Sequence, residues 1–225
     1  MTESIEALDL VAGKATVRVR IGGTTFEIAR EVAATLELRQ GAGVTPALRA
    51  AIEAAADRRA AAARILRHLR VRPRTSHEVR EFLTRHGHAP ATVQAVLGEL
   101  EAKGLVDDAR YAAYFVQARL AHRPMGAARL KRELRARGVT KELAEEAAGR
   151  AGGQDEKGLA LAAARPRFAA ARRLGRERGM RRLAAFLARR GFSEAVVRET
   201  CLGLFAGEPG TPRPAARSPR EPEET

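Results

Sequence analysis

Apolar residues recur along this chain first with a period of two and then with a helical period. Between residues 14 and 28, Val17, Val19 and Ile21 alternate with polar positions, the run breaks at Gly22-Gly23, and it resumes at Phe26 and Ile28. That pattern predicts a β-hairpin, and a short strand around residues 7–11 would add a third member. A short apolar-rich helix is expected near residues 30–36, followed by the turn residues Gly41 and Gly43. Thr45-Pro46 has the chemistry of an N-cap with proline at the first helical position. The alanine-rich helix opened there runs into residues 58–70 either continuously or with a break, and links the hairpin to the helical remainder of the chain.

From residue 58 the helical period takes over and repeats. With Gly87 as zero, apolar residues stand at −8 and −4 (Val79, Leu83), and the same frame fits Leu130, Leu134 and Gly138, then Leu183, Leu187 and Gly191. The glycines are 51 and then 53 residues apart, at the edge of the range that marks repeated supersecondary units. The expected fold is mainly α: tandem three-helix repeats in an elongated, curved body, preceded by a small β-hairpin and helix subdomain. The boundaries are an N-terminal region 1–57, repeats 58–105, 106–152 and 153–206, and a tail 207–225. Helices are expected near 58–70, 76–86 and 90–103, then 109–121, 126–137 and 140–150, then 155–173, 178–190 and 193–206. Ser76, Thr140 and Ser193 are placed as caps, Pro90 opens a helix, and Val93, Val96, Leu97 and Leu100 supply its apolar stripe. The three repeat glycines fit the left-handed position just after a helix, where a side chain clashes. Phe82 and Phe186 both stand at −5 from their glycines, whereas the middle repeat has Glu133 there. The tail holds five of the ten prolines and almost no large apolar residue, a composition expected to stay disordered.

Charge adds a second layer. The net charge is +14, yet residues 58–207 alone hold 32 basic and 15 acidic residues. A field of that sign favours a polyanion such as nucleic acid or a nucleoprotein surface. Of the 41 cations, 36 are arginine; a GC-rich genome accounts for arginine over lysine, but not for the excess over anions. No apolar run approaches the roughly 20 residues of a membrane span. The acidic start, MTESIEALDL, lacks the pattern of a signal peptide, so a cytoplasmic location is expected.

Catalytic, cofactor and metal sites are not expected. Cys201 is the single cysteine, which excludes a cysteine metal cluster and reads as a buried structural thiol. Asp107 and Asp108 are adjacent carboxylates best suited to capping the next helix. His68, His77, His86 and His88 lack the further ligands of a metal site and are expected at the surface or in turns. Tyr111, Tyr114 and Phe115, spaced as one helix face, are expected in the core. The arginines are more informative. Leu130 and Leu134 lie roughly 40° apart on a helical wheel, with Arg129, Arg132 and Arg135 on the other side and Lys131 at the edge. Arg181, Arg182 and Arg189 likewise point away from Leu183 and Leu187. Helices with one apolar and one basic face pack inward and hold phosphates outward.

Three stretches, in order, resemble the RecX regulators of the RecA recombinase: RPRTSHEVREFL from Arg72, GLVDDARYAAYFVQAR from Gly104 and GAARLKRELRARGV from Gly126. The resemblance spans about residues 14–206. It implies tandem three-helix modules that lodge on the RecA filament on single-stranded DNA, acting as a binding inhibitor and not as an enzyme, and it places the chain in homologous recombination, DNA repair and the SOS response. It implies structural roles for Arg74, Ser76, Asp107, Asp108, Gly126, Glu133 and Gly138, beside Gly87 and Gly191, whose structural role follows from the repeat frame. The expected contacts to DNA or to the filament are Arg129, Lys131, Arg132, Arg135, Arg181, Arg182 and Arg189. The expected partners are the RecA filament and single-stranded DNA, with duplex DNA bound without sequence preference if at all, and the chain is expected to act as a monomer. The competing reading is a helix-turn-helix regulator that binds duplex DNA directly. Against it, no second helix presents the Asn/Gln-rich surface that reads bases.

Overall fold

The computed structural model describes residues 3–11, 15–152 and 155–206; the tail expected to be disordered lies outside them. The chain is mainly α, with ten helices and a small N-terminal sheet among the described residues. Strands β2 (Thr16–Ile21) and β3 (Thr24–Ala29) form the expected hairpin in the register Val17 to Ile28 and Val19 to Phe26. Gly22 and Gly23 turn it with φ of 54° and 74°, the left-handed pair that a two-residue hairpin needs. Strand β1 (Glu3–Leu10) pairs with β2 and starts earlier than its sequence suggests. A two-residue strand, β4 (Gly43–Val44), closes the other edge in the order β3-β2-β1-β4. It is too short to carry a periodic signal.

Helix α1 (Arg30–Thr35) leads by way of β4 to α2 (Pro46–Leu69), which is one continuous helix. Thr45 Oγ1 accepts from Leu48 N–H, so the expected cap is in place. One face of α2 carries Ile52 against the sheet; roughly three turns later Ala61 and Ile65 belong to a second core with Val79, Leu83, Val93, Val96, Leu97 and Leu100. Those residues come from α3 (Ser76–Arg85) and α4 (Pro90–Ala102). Then come α5 (Asp108–His122), α6 (Ala127–Arg135), α7 (Lys141–Gly152), α8 (Glu156–Arg172), α9 (Arg176–Arg189) and α10 (Glu194–Phe205).

The described residues divide into two compact units. The first runs to Tyr111 and includes Arg137–Val139; the second comprises Ala112–Ala136 and the residues from Thr140. Gly87, Gly138 and Gly191 have φ of 79°, 79° and 83°, as the repeat frame requires. The frame residues Val79, Leu83, Leu130, Leu134, Leu183 and Leu187 are all buried. Cys201 is buried too, and burial pushes its thiol up from the ordinary range.

Several local expectations are corrected. Thr75, not Ser76, caps α3, its hydroxyl accepting from Glu78 N–H at 3.1 Å. Ser76 instead donates both its N–H (2.8 Å) and its hydroxyl (2.6 Å) to the carboxylate of Asp108. Asp107 is the residue that caps α5, accepting from Arg110 N–H. Ser193 does not cap α10 with its own oxygen; its N–H and hydroxyl donate to Glu156 on α8. His88 is not at the surface: its side chain is 7% exposed and Nδ1–H donates to Asp57 Oδ1 at 2.6 Å. Burial raises the Asp57 carboxyl, but donation from His88, Thr92 and the Ala89 N–H outweighs it and holds the group below its usual range. Asp57 thus serves α4, whose own N-cap residue, Ala89, has no side-chain oxygen to offer. A carboxylate lent by another helix satisfies the orphan N–H groups of a helix start and sits at the positive end of its dipole. Tyr114 is 61% exposed, while Tyr111 is buried as expected.

Candidate nucleic-acid interface

Glu78 is the centre of a charged cluster in the first unit. Arg72 and Arg137 approach it at 3.2 and 3.3 Å and Arg74 at 3.8 Å, and its side chain is 17% exposed. Thr75 Oγ1 also donates to the Arg137 carbonyl at 2.7 Å. A Cβ on Gly138 would overlap the His77 side chain, so only glycine lets this segment close on the start of α3. Arg74 thus lies in the Glu78 cluster and Gly138 in the segment that closes on it. Three cations on one carboxylate leave this cluster net positive, but each of its arginines is already drawn to Glu78 and is less free to meet a polyanion.

The basic face of α6 is only partly free. Arg129 Nε donates to Glu133 Oε1 at 2.9 Å, and Arg119 approaches the other oxygen at 3.0 Å. Glu133 stands at −5, where α3 has Phe82 and α9 has Phe186. Phe82 stacks on His68 with centroids 4.1 Å apart and tilts against His86 at 4.2 Å. Phe186 lies under the guanidinium of Arg167 at 4.4 Å and of Arg190 at 4.9 Å. The position thus always meets a residue of the preceding helix, through an aromatic ring twice and an ion pair once. Arg132 and Arg135 are exposed and Lys131 half-buried, and none of the three is ion-paired among the described residues.

On α9, Arg181 is exposed and 3.8 Å from Glu177, whereas Arg182 and Arg189 are exposed and unpaired among the described residues. Those two line a cleft of about 290 Å³ between α8 and α9, with Arg167 on the α8 side and Leu183, Phe186 and Ala171 among its apolar walls. The cleft depends on the glycine-bearing junction between α8 and α9. Gly175 turns with φ of 81°, and α9 begins at Arg176. A Cβ on Gly179 would stand 2.5 Å from the Ala171 carbonyl oxygen and 2.9 Å from Phe205 Cζ, so the glycine allows α9 to close on α8. Behind the cleft, burial lowers the Arg190 guanidinium, and the charges of Arg167, Arg123 and Arg129 lower it further. No carboxylate is among its perturbing neighbours.

Arg167, Arg190 and Arg123 were not singled out by the helical-face argument. Arg190 had a signal: the residue just before each repeat glycine is His86, Arg137 or Arg190. Gly126 and Gly191 fix the same region. Gly126 N–H donates to the Arg190 carbonyl at 3.0 Å and Ala128 N–H to that of Gly191 at 3.2 Å. A Cβ on either glycine would overlap the other segment, at Gly191 or at Arg129. Among the described residues no group of three or more His, Cys, Asp or Glu could hold a metal ion, and no helix is long and apolar enough to cross a membrane.

Comparison with known proteins agrees with this arrangement. The family models described as the first and second three-helix domains of RecX match residues 61–100 and 107–147. A solved structure titled "Crystal structure of regulatory protein RecX" superposes over 88% of this chain and 98% of its own with a TM-score of 0.75; at 23% identity it speaks for the fold. The regulatory protein RecX of Chromohalobacter salexigens is 43% identical over 54% of this chain and 77% of its own length. That of Amycolatopsis mediterranei is 35% identical over 57% of this chain and 73% of its own length. Identity at that level over so much of the relatives' length, on the shared three-helix domains, places the chain in the RecX family of regulatory proteins.

Proposed function

We propose that this chain regulates the RecA recombinase by binding its filament on single-stranded DNA, and that it suppresses ATP hydrolysis, strand exchange or filament growth as a cytoplasmic, monomeric binding inhibitor. Family membership supports the partner. The observation that carries the mode of binding is the set of exposed arginines on α6 and α9, Arg132, Arg135, Arg182 and Arg189, that have no carboxylate partner among the described residues. Arg129, Lys131 and Arg181 extend the same surfaces, with Arg129 and Arg181 already shared with Glu133 and Glu177. Exposed guanidinium groups hold phosphates through paired hydrogen bonds, and such contacts position a protein on a strand without reading its sequence.

The test is RecA's DNA-dependent ATPase, titrated with this chain at low salt. Activity is expected to fall as the chain approaches the amount of RecA. The R132E/R135E variant should need roughly tenfold more protein for the same effect, as the loss of ~1.4 kcal/mol of contact energy would give. Unchanged ATPase and strand exchange with the wild-type chain would end this reading.

A further inference from the structure

We infer that the cleft between α8 and α9 is a binding site for the phosphodiester backbone of a nucleic-acid strand, with Arg167, Arg182 and Arg189 as its grips. The inference deepens the function proposed above and rests on it for the ligand class. Three guanidinium groups line one cleft of about 290 Å³ with no carboxylate in its lining. None of the three is ion-paired among the described residues. The cations behind it, Arg190 with Arg123 and Arg129 in range of its charge, add to the field. A cluster so uncompensated is repulsive in the free protein and is relieved when an anion enters.

The geometry favours a strand over an acidic side chain. Arg182 and Arg189 are seven residues apart, which on a helix is two turns and roughly 10 Å. One carboxylate reaches one guanidinium fork; a polymer with a charge at every nucleotide reaches both. The apolar part of the lining, Leu183 and Phe186 with Pro166, offers a surface for sugar and base edges that a carboxylate does not need. Phe186 also holds Arg167 and Arg190 by its ring. An arginine already fixed in place loses less freedom when it binds.

The experiment is fluorescence anisotropy of a labelled oligo(dT) strand with the full chain across a salt series. A labelled duplex is the parallel arm. R182E/R189E is expected to bind the single strand at least tenfold more weakly. The slope of log K against log salt should become shallower by about 1.4, the value for two lost phosphate contacts on a single strand. R182K/R189K, which keeps the charges but not the forks, should fall in between. R80E/R85E changes the net charge equally at exposed sites on α3 and should stay near wild type. Thermal unfolding should show no loss of stability in R182E/R189E, because the replaced side chains are exposed and carry no ion pair among the described residues.

If R182E/R189E matches R80E/R85E in affinity and slope, the inference is overturned. It is also overturned if R182E/R189E loses RecA inhibition while its oligo(dT) binding is intact, since the cleft then meets an acidic protein surface. If the wild-type chain leaves RecA unaffected but R182E/R189E still weakens strand binding, the cleft stands and the proposed partner falls.

Discussion

Around Glu78 three arginines meet one carboxylate; in the cleft between α8 and α9 three arginines meet none. The first set is drawn together at 3.2 to 3.8 Å. Burial pushes the Arg74 guanidinium down, Arg72 adds to that, and Glu78 opposes both. Behind the second set, burial and neighbouring cations act on Arg190 with no acidic neighbour opposing them. The same residue type is thus used as an internal strut in one place and as an open contact in the other. A count of arginines cannot separate the two roles; the location of the carboxylates can.

The largest effect that would test this contrast is at Glu78. Replacing it by glutamine leaves three cations around a neutral group, one of them 17% exposed. E78Q is expected to lower stability by about 2 kcal/mol, below the range for a fully buried pair because Arg72 and Arg137 reach solvent. A urea unfolding midpoint measures it. No shift in the midpoint would mean that the cluster is ornamental and the contrast empty.

Next in size is Gly138, which seats the Glu78 cluster, measured against Gly87, which stands in open space. Gly87 and Gly138 share φ of 79°, but the space beside Gly87 is open while that beside Gly138 is filled by His77. Alanine at Gly87 should cost about 1 kcal/mol, the left-handed penalty alone. At Gly138 the same penalty adds to displacement of the segment that brings Arg137 to Glu78, for a total of about 1.5–2 kcal/mol. Paired urea midpoints check the difference, and equal losses would show that the contact with His77 relaxes freely.

What the sequence made legible is what local rules determine. The hairpin followed from alternation and Gly22-Gly23, and the frame at −8, −4 and 0 followed from helical spacing and the left-handed glycine. The capping carboxylates did not follow, because Asp57, Asp108 and Glu156 act on helices 31 to 37 residues away. The basic faces of α6 and α9 were visible, but not which arginines were free. That depended on Glu133 also reaching Arg119 on α5; its pairing with Arg129, four residues back on the same helix, is a local one. The cleft itself was hidden because it needs Gly179 to bring two helices together. Arg167, from the other helix, has no place on the α9 wheel.

The smallest expected effect is the sharpest form of the contrast, since it concerns sign. Removing one cation from the Glu78 cluster takes away an attraction, so R72Q should lower stability by about 0.5 kcal/mol, a typical value for a partly exposed pair. Removing one from the cleft takes away only repulsion, so R182Q should be neutral or stabilising within about 0.5 kcal/mol. Salt separates the two further. At a Debye length of about 3 Å, reached near 1 M salt, both attraction and repulsion are screened. The gap between the variants' urea midpoints should therefore be widest in dilute buffer and close as salt is added. A gap that persists in molar salt would assign it to packing of the arginine stems, and charge compensation would no longer distinguish the two clusters.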